Sequence, residues 1–517
     1  MITRANATHI PLKDESVHCI ITSPPYWSLR KYDIPDLIWD GEDKCEHYFQ
    51  EYVRPDGGGY PTESAQVGNT KNDLQRVYGY KAGFCGRCGA WRGQLGLEPT
   101  IDLYLKHLLQ IMDECKRVLR DDGTMWVNLG DSYCNDRLTY KMDGDFSGTD
   151  GLYQRKTDAI GGLLPKRSGQ GIPTKSLCLI PERFAIEMVN RGWILRNKII
   201  WKKSNCMPSS AKDRFTVDFE DVFFFTKSND TQYWTNERTG KLVSKQPLGT
   251  KGIEGEDWEW RECPSCKKDI VGTSPDKKII YHKSPVFEGC KKCKGTGQMK
   301  YSFWSGHDYW FEQQYDDLSP LTIADKRNDT GRHTQGKNYS KYFEGDESPD
   351  KPSWYRGKVF VNPSQGRNRR CVWTISTQPY PESHFATFPE ALVEPMIRAG
   401  CPQFVCKKCR KGREKIIKAE GGTIGRSWHD HKEDLKQGQR ADNEAKGGHG
   451  YKKIDKGLTD CGCNAGFEGG VCLDPFAGSG TVLRVAEQLN RKAIGLDLGY
   501  QPLSVKRLQN VQKELSL

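Results

Sequence analysis

The sequence predicts an α/β protein: a sheet with helices on both faces, interrupted by insertions that carry cysteine knuckles. Three observations point there. Strand-like and helix-like segments alternate through the N-terminal part of the chain. A strand, glycine loop, helix and strand follow one another near the C-terminus. Polar stretches with cysteines spaced C-x-x-C lie between these parts.

Residues 15–22 read as the first strand, with an apolar run from Val17 to Ile21 broken only by His18. Pro24 and Pro25 end it, because proline has no N–H for a ladder and fixes φ. The result is a rigid corner, Ser23-Pro24-Pro25-Tyr26-Trp27, at a strand end, which reads either as a ligand site, since open α/β sheets bind ligands there, or as an edge turn whose aromatics pack on the core. Trp27 reads as wall or core. Residues 100–119 carry Leu103, Leu105, Leu108, Leu109, Met112, Cys115, Val118 and Leu119 at helical spacing. "DDG" is expected to end that helix before a strand from Thr124 to Leu129. "IPERFAIEMVNRG" is a helix closed by Gly192, and "WILRNKIIW" and "EDVFFFTKS" are strands. From about 227 to 360 the pattern dissolves into polar, aromatic, glycine-containing sequence, the mark of an insertion. A second insertion, rich in Gly, Lys and Asp, runs from about 401 to 463.

Near the C-terminus, Val471–Leu473 is a strand and Asp474-Pro475-Phe476-Ala477-Gly478-Ser479-Gly480-Thr481 a glycine loop. A helix follows with Val482, Val485, Ala486 and Leu489 on one side, then a strand from Lys492 to Leu496 that ends at Asp497. Glycines let the backbone approach a ligand closely and turn into the helix. An acidic residue about twenty positions on is placed for ribose hydroxyls. The loop has no G-K-[ST] ending, which disfavours a nucleoside triphosphate. Together these features point to an adenosine-containing cofactor.

The chain has 517 residues, a net charge of +11 and 19 cysteines. The charge suits a polyanionic partner. No apolar run approaches the roughly 18 residues of a membrane helix, and the N-terminus lacks the apolar core of a signal peptide, so a cytoplasmic protein is expected. A reducing compartment turns the cysteines toward metal rather than disulfides. Cys263 and Cys266 with Cys290 and Cys293 read as a four-thiolate zinc site. Cys406 and Cys409 pair most simply with Cys461 and Cys463, with Cys401 as a competitor. Cys85 and Cys88 find their nearest further ligands in Cys45 and His47. Up to three structural Zn2+ ions are expected. Cys19, Cys115, Cys134, Cys178, Cys206, Cys371 and Cys472 read as small buried hydrophobes.

"DPFAGSGT" resembles the S-adenosylmethionine loop of DNA amino-methyltransferases, and "TSPPYW" resembles their catalytic motif. With the catalytic motif first and the cofactor loop last, the chain resembles the permuted β group of that family. The stretches "LRDDGTMWVNLGDSY", "GWILRNKIIWKKSNCMPSS" and "RNRRCVWTISTQPYPESHFATFPEALVEPMIRAGC" match in kind. The resemblance covers roughly 1–226 and 361–517. It implies a Rossmann-like methyltransferase sheet in circularly permuted order, with zinc-bearing insertions. Residues 1–226 would be the catalytic half, with a knuckle insertion at about 36–97. Residues 227–360 would be an inserted target-recognition region with a knuckle. Residues 361–400 and 464–517 would be the cofactor-binding half, and 401–463 a further knuckle insertion. One departure is Asn6, where relatives often carry an aspartate near the adenine.

The implied reaction explains the proline corner. An exocyclic amino nitrogen is a poor nucleophile, because its lone pair is delocalised into the ring. Acceptors against its hydrogens favour the pyramidal transition state. Ser23 Oγ and the carbonyl of Pro24, stiffened by Pro25, are the expected acceptors, and Tyr26 would stack on a flipped base. The resemblance carries Phe476, Ala477, Gly478, Ser479, Gly480 and Thr481 to the cofactor, Asp474 to its methionine amino group and Asp497 to its ribose. "HFATFPEALV" resembles the last cofactor motif, with Thr387, Phe388 and Pro389 as contacts and Glu390 opening a helix. Phe388 is equally explained as packing, and Asp131 as base-pocket lining or as a helix cap. Serine at the head of the motif accompanies N4 of cytosine more often in resembling enzymes, with N6 of adenine the alternative. A reading of another class is a non-catalytic zinc-ribbon DNA-binding protein on the same fold. Expected partners are double-stranded DNA and a restriction endonuclease, with the protein a monomer or homodimer and no membrane involved.

Overall fold

The computed structural model describes residues 1–27, 31–53, 81–134, 172–245, 247, 252–263, 269–273, 279–282, 290, 292–294, 296–316, 367–378, 388–420, 452–509 and 511–512. Cys266 and Thr387 lie outside the described residues. By packing, the chain divides into two units.

The first unit holds Met1–Glu312, Cys371–Arg413 and Cys461–Leu517. Its centre is an eight-stranded sheet: β1 Ile2–Arg4, β2 Val17–Thr22, β3 Leu119–Leu129, β4 Ile194–Lys202, β5 Phe219–Thr226, β6 Val372–Thr374, β7 Val471–Asp474 and β8 Lys492–Asp497. The order across the sheet is β1-β8-β7-β2-β3-β5-β4-β6. Every neighbouring pair is parallel except the two made by β5. The central strands are buried on both faces, which is why they read as continuous apolar runs. In β5, Phe223 and Phe225 enter one core and Val222 and Phe224 the other. His18 interrupts the run of β2 yet is buried, and its Nδ1 accepts from Val471 N at 3.1 Å. Burial holds this imidazole neutral, with a pKa of about 3.

Helices α1 (Ile101–Val118) and α2 (Ile180–Asn190) pack on the first face, and α3 (Glu390–Gly400) and α4 (Thr481–Gln488) on the second. A short α5, Gln501–Leu508, follows. Thr100 caps α1 by accepting from Leu103 N, and Leu105, Leu108, Leu109, Met112 and Cys115 are buried as their spacing requires. The expected stop at "DDG" is not a turn. The chain is already extended at Leu119, and Asp121-Asp122-Gly123 lies inside β3. Arg120 Nε donates to the buried Asp122 Oδ1 at 2.7 Å and Lys227 pairs with Asp121 at 2.8 Å, so the charges are satisfied within the strand.

The N-terminal insertion forms a four-stranded sheet of Leu37–Trp39, Trp91–Gly93, Lys81–Cys85 and Phe49–Val53. His107 of α1 anchors it. The buried ring stacks on Trp39 and Trp91, with centroids at 4.5 and 5.5 Å, and bonds Glu98 and Asp40 at 3.0 and 3.1 Å. The described residues of 227–312 fall in the first unit. Tyr309 and Phe311 pack on Phe224 with centroids at 5.9 and 5.7 Å, and Trp310 N donates to Asp122 O at 3.0 Å. The second unit is Gln313–Arg370 with Glu414–Asp460. Its described residues form two antiparallel pairs, Lys415–Glu420 with Lys452–Leu458 and Tyr315–Asp316 with Arg367–Asn368. Among the described residues no helix is long and apolar enough to cross a membrane.

Candidate active site

Because β2 and β7 are parallel neighbours, Ser23 and Asp474 stand at the same edge of the sheet. Thr22 Oγ1 donates to Asp474 Oδ1 at 2.8 Å and Phe476 N donates to the same oxygen at 3.0 Å. Burial pushes the Asp474 carboxyl up to about 7. The Thr22 and Phe476 bonds oppose that shift, and the nearby Asp497 charge adds to it. Gly478 and Gly480 adopt left-handed φ of 49° and 77°, which turns the chain into α4. Asp497 closes the loop: its Oδ2 accepts from Gly478 N at 2.9 Å, and its Oδ1 from Gly499 N and Tyr500 N at 2.8 and 2.6 Å. The Arg507 guanidinium donates to Ser479 Oγ and Thr481 Oγ1 at 3.0 and 2.9 Å and to Glu390 at 2.7 Å. That last bond ties the segment Phe388-Pro389-Glu390 to the glycine loop. Phe388 packs on the core beside α3 and α4, and Pro389 is the buried N-cap of α3.

The proline corner is equally braced. Pro24 is buried, and Tyr104 of α1 donates to the Pro25 carbonyl at 2.8 Å. Trp27 is core, its Nε1 donating to Glu98 O at 3.0 Å. The ring of Tyr26 lies against Gly130, where an added Cβ would stand 2.7 Å from ring carbon Cε2, so only glycine fits there. The Tyr26 hydroxyl donates to Glu220 Oε2 at 2.7 Å, with Asn128 Oδ1 at 3.2 Å. Ser23 Oγ points its proton at the Tyr26 oxygen across 3.5 Å. Burial and the Glu220 charge raise the Tyr26 phenol well above its usual range, so it stays protonated and donates. Glu220 pairs in turn with Lys203 at 2.5 Å. Glu220, Lys203 and Asn128 were missed by sequence reasoning. Only their position at strand ends flanking the site could have flagged them. Asp131 is a cap: its carboxylate accepts from Ser132 N, Leu179 N and Ile180 N at 2.8, 3.0 and 3.1 Å, at the start of α2.

Among the described residues, three groups of side chains that could hold a metal ion also form. Their ligand atoms lie within 4.8 Å of one another: Cys45, His47, Cys85 and Cys88; Cys406, Cys409, Cys461 and Cys463; and Cys263, Cys290 and Cys293. Sulfur pairs at 3.8 Å (Cys45–Cys85) and 3.7 Å (Cys263–Cys290) are far longer than a disulfide and match the roughly 3.8 Å edge of a tetrahedron with Zn–S bonds of about 2.3 Å. Three of the four C-x-x-C segments have turns that are alike; Cys266 of the fourth lies outside the described residues. Gly89, Lys294 and Arg410 each follow the second cysteine with φ of 76°, 51° and 62°. Each donates its N–H to the carbonyl of the first cysteine, at 2.9, 2.8 and 3.0 Å. Cys401 is buried in the core and stands apart from these groups. Cys19, Cys115, Cys134, Cys178 and Cys472 are buried as expected, but Cys371 is exposed and Cys206 half-exposed. Cys371 directly precedes the edge strand β6, and Cys206 lies in the loop after β4, so neither reaches a core.

The chain is similar to several type II methyltransferases. The chain is 31% identical over 231 residues to the type II methyltransferase M.Cfr9I of Citrobacter freundii, covering 44% of this chain and 55% of that one. It is 22% identical over 512 residues to M.SfiI of Streptomyces fimbriatus, covering 94% and 85%, and 29% identical over 222 residues to M.SmaI of Serratia marcescens, covering 43% and 53%. The chain therefore spans about half the length of two of these three relatives. Among solved structures it is similar to the PvuII DNA methyltransferase (cytosine-N4-specific), with a TM-score of 0.36, 11% identity, and coverage of 98% of this chain and 86% of that one. A family model described as DNA methylase matches residues 17–404 and 406–504, taking in the proline corner and the glycine loop alike, and the chain belongs to that N6/N4 DNA methylase family.

Proposed function

We propose that this protein transfers the methyl group of S-adenosylmethionine to the exocyclic amino nitrogen of a flipped base in double-stranded DNA, with N4 of cytosine as the acceptor. The observation that carries this reading is the Thr22–Asp474 hydrogen bond, which joins the proline corner to the glycine loop at adjacent parallel strand ends. S-adenosylmethionine, when bound, supplies an electrophilic methyl on a sulfonium. Asp474 offers a buried carboxylate to its ammonium group. The loop from Phe476 to Thr481, Asp497, and the segment Thr387 to Pro389 hold its nucleoside. Tyr26, with its hydroxyl tied to Glu220, presents a ring fixed in place for stacking. The Ser23 hydroxyl, oriented toward the Tyr26 oxygen at 3.5 Å, has lone pairs to accept an amino hydrogen, alongside the Pro24 carbonyl. The nitrogen lone pair is thereby drawn out of conjugation and aimed at the methyl; the new C–N bond would form as the methyl–sulfur bond breaks and leaves a neutral thioether, and the proton shed by the amino group passes to solvent water.

Three Zn2+ ions fit the cysteine groups, Cys266 completing the set with Cys263, Cys290 and Cys293. Their role is to hold insertions that have little core of their own. The net charge of +11 suits the DNA backbone. A companion restriction endonuclease goes with this reading. The choice of cytosine rests on Ser23 in place of an aspartate. The test is incubation of unmethylated DNA with protein and cofactor, digestion to nucleosides, and mass spectrometry. N4-methylcytosine is expected. Methyl groups on adenine alone would replace the base and leave the mechanism, whereas no methylated nucleoside would favour a DNA-binding protein without catalysis.

A further inference from the structure

The segment 203–218 joins β4 to β5 and opens at the edge of the sheet that carries the proline corner. β5 is antiparallel to both β3 and β4, so β4 runs parallel to β3 and β2, and their C-terminal ends coincide. The segment is braced at its root. Lys203 N donates to Asp218 O at 2.7 Å, Ser204 Oγ meets Ser376 Oγ at 2.6 Å, and Thr377 N donates to Asn205 Oδ1 at 2.8 Å. It is braced again further out, where Ser209 N donates to Thr216 Oγ1 at 2.9 Å, Lys175 pairs with Asp213 at 2.8 Å, and the Arg214 guanidinium sits 3.6 Å above the Tyr133 ring.

Phe215 is held on this scaffold at 96% exposure. Single exposed apolar side chains are ordinary. This one differs in three ways. It is almost wholly in water on a loop that is otherwise bonded down, it stands beside the basic residues Lys212 and Arg214, and it lies five positions from Glu220, the partner of Tyr26. At the root of the loop is a cleft of about 520 Å³ lined by Lys202, Lys203, Ser204, Thr216, Thr374 and Asp218. It presents two ammonium groups, that of Lys203 shared with Glu220, and three hydroxyls beside the Asp218 carboxylate, a set that suits a phosphate diester.

We propose that the 203–218 loop enters the duplex at the target base, with Phe215 stacking in the space left by the extruded nucleotide and the cleft at its root receiving a flanking phosphate. The proposal rests on the base-flipping reading above. Extrusion leaves two neighbouring bases without a stacking partner, and an aromatic face recovers that contact whatever the neighbours are. Flanking cations are what a polyanion requires, whereas a second copy of this chain, carrying the same positive charge, would be repelled from them.

The test compares the parent with Phe215→Ala and Phe215→Trp on an oligonucleotide duplex bearing the methylation site mapped on bulk DNA. The same site is also assayed with the target base opposite an abasic position, where extrusion costs less. Calorimetry with S-adenosylmethionine should give the parental affinity for both variants, since Phe215 is almost wholly exposed among the described residues. Phe215→Ala is expected to methylate the paired duplex at least about tenfold more slowly, the size of one base–aromatic stack, and to recover most of that loss on the abasic duplex. Phe215→Trp should stay near the parent. Parental rates for Phe215→Ala on the paired duplex, or an equal loss on both substrates, would overturn the proposal. So would a change in the sedimentation of the DNA-free protein, which would make the loop a self-association face. A parent that transfers no methyl to any DNA would overturn the methyltransferase reading itself, whereas an active parent matched by an equally active Phe215→Ala overturns only the wedge.

Discussion

Asp474 gives cofactor binding a calculable pH dependence. Its carboxyl is buried with no cation beside it among the described residues, and its pKa is pushed up to about 7. An ammonium group from the cofactor needs the ionised form. The ionised fraction is 1/(1 + 10^(7 − pH)), so about nine-tenths are ready at pH 8 and about one in eleven at pH 6. Affinity for S-adenosylmethionine should therefore be level above pH 7 and fall about tenfold, or about 1.4 kcal/mol, for each pH unit below it. In the cofactor-free protein the sign is opposite. Between about pH 4 and 7 the folded carboxyl keeps a proton that the unfolded chain has released, so its contribution to stability declines as pH rises through that window. Titration calorimetry from pH 5.5 to 8 on the parent and on Asp474→Asn separates this from other ionisations. The cofactor's own amino group titrates identically in both experiments, so the difference between the curves belongs to residue 474. The variant should bind more weakly with a flatter profile. Parallel profiles for the two proteins would refute the assignment of Asp474 to the ammonium group.

Three further outcomes are expected. Glu220→Ala should slow methyl transfer by about tenfold or more with unchanged cofactor affinity, the scale of one hydrogen bond to a charged group, and Glu220→Gln should recover much of it because the amide oxygen still accepts from Tyr26. Steady-state rates that do not move would remove Glu220 from the site. Elemental analysis should find close to three zinc ions per chain, and Cys263→Ser should lose one of them while binding S-adenosylmethionine like the parent; a count near zero would refute the zinc assignment. Asp497→Ala should weaken the cofactor by about tenfold to a hundredfold while leaving DNA affinity nearly intact, because the Gly478, Gly499 and Tyr500 amides all lose their acceptor. Equal cofactor affinity by calorimetry would make that closure irrelevant to binding.

What was legible in the sequence was local. The stretch Val471 to Asp497 compresses a buried strand, left-handed glycines, a helix and an acidic strand end into fewer than thirty residues, and each step has its own residue signature. The cysteine groupings were legible for the same reason, since C-x-x-C spacing is a property of one turn, seen three times here in the same backbone form. What was not legible depends on pairing between distant strands. Glu220 is 194 positions from Tyr26, at the head of a phenylalanine-rich strand that carries no mark of chemistry. Asn128 sits in a strand that reads as core. The "DDG" segment reads as a turn from its composition. It lies instead inside β3, where Arg120, two positions before Asp122, and the distant Lys227 take up the two aspartates. Cys206 and Cys371 read as buried because cysteine usually is, and their place beyond a strand end or beside an edge strand is a feature of the assembled sheet.

The Glu220 contact also bears on why a serine serves at the head of the proline motif. A neutral hydroxyl is a weaker acceptor for an amino hydrogen than a carboxylate. Here a carboxylate reaches the corner by another route, through the Tyr26 hydroxyl toward which Ser23 points its proton. A hydroxyl that donates along such a chain becomes a better acceptor at its own oxygen. Lys203 balances the Glu220 charge, and Lys203 is also the first residue of the 203–218 loop and lines the cleft at its root. A phosphate entering that cleft would compete with Glu220 for the ammonium group. Released from its partner, the Glu220 carboxylate would draw harder on the Tyr26 proton, and Ser23 would become a stronger acceptor. In this arrangement the contact that seats DNA and the contact that prepares the amino nitrogen share one lysine. Lys203→Met should therefore weaken DNA binding and make the methyl-transfer step less sensitive to which duplex is bound, two effects that single-turnover kinetics separate. A variant that changed affinity alone would show that the lysine binds phosphate without passing anything on to Tyr26.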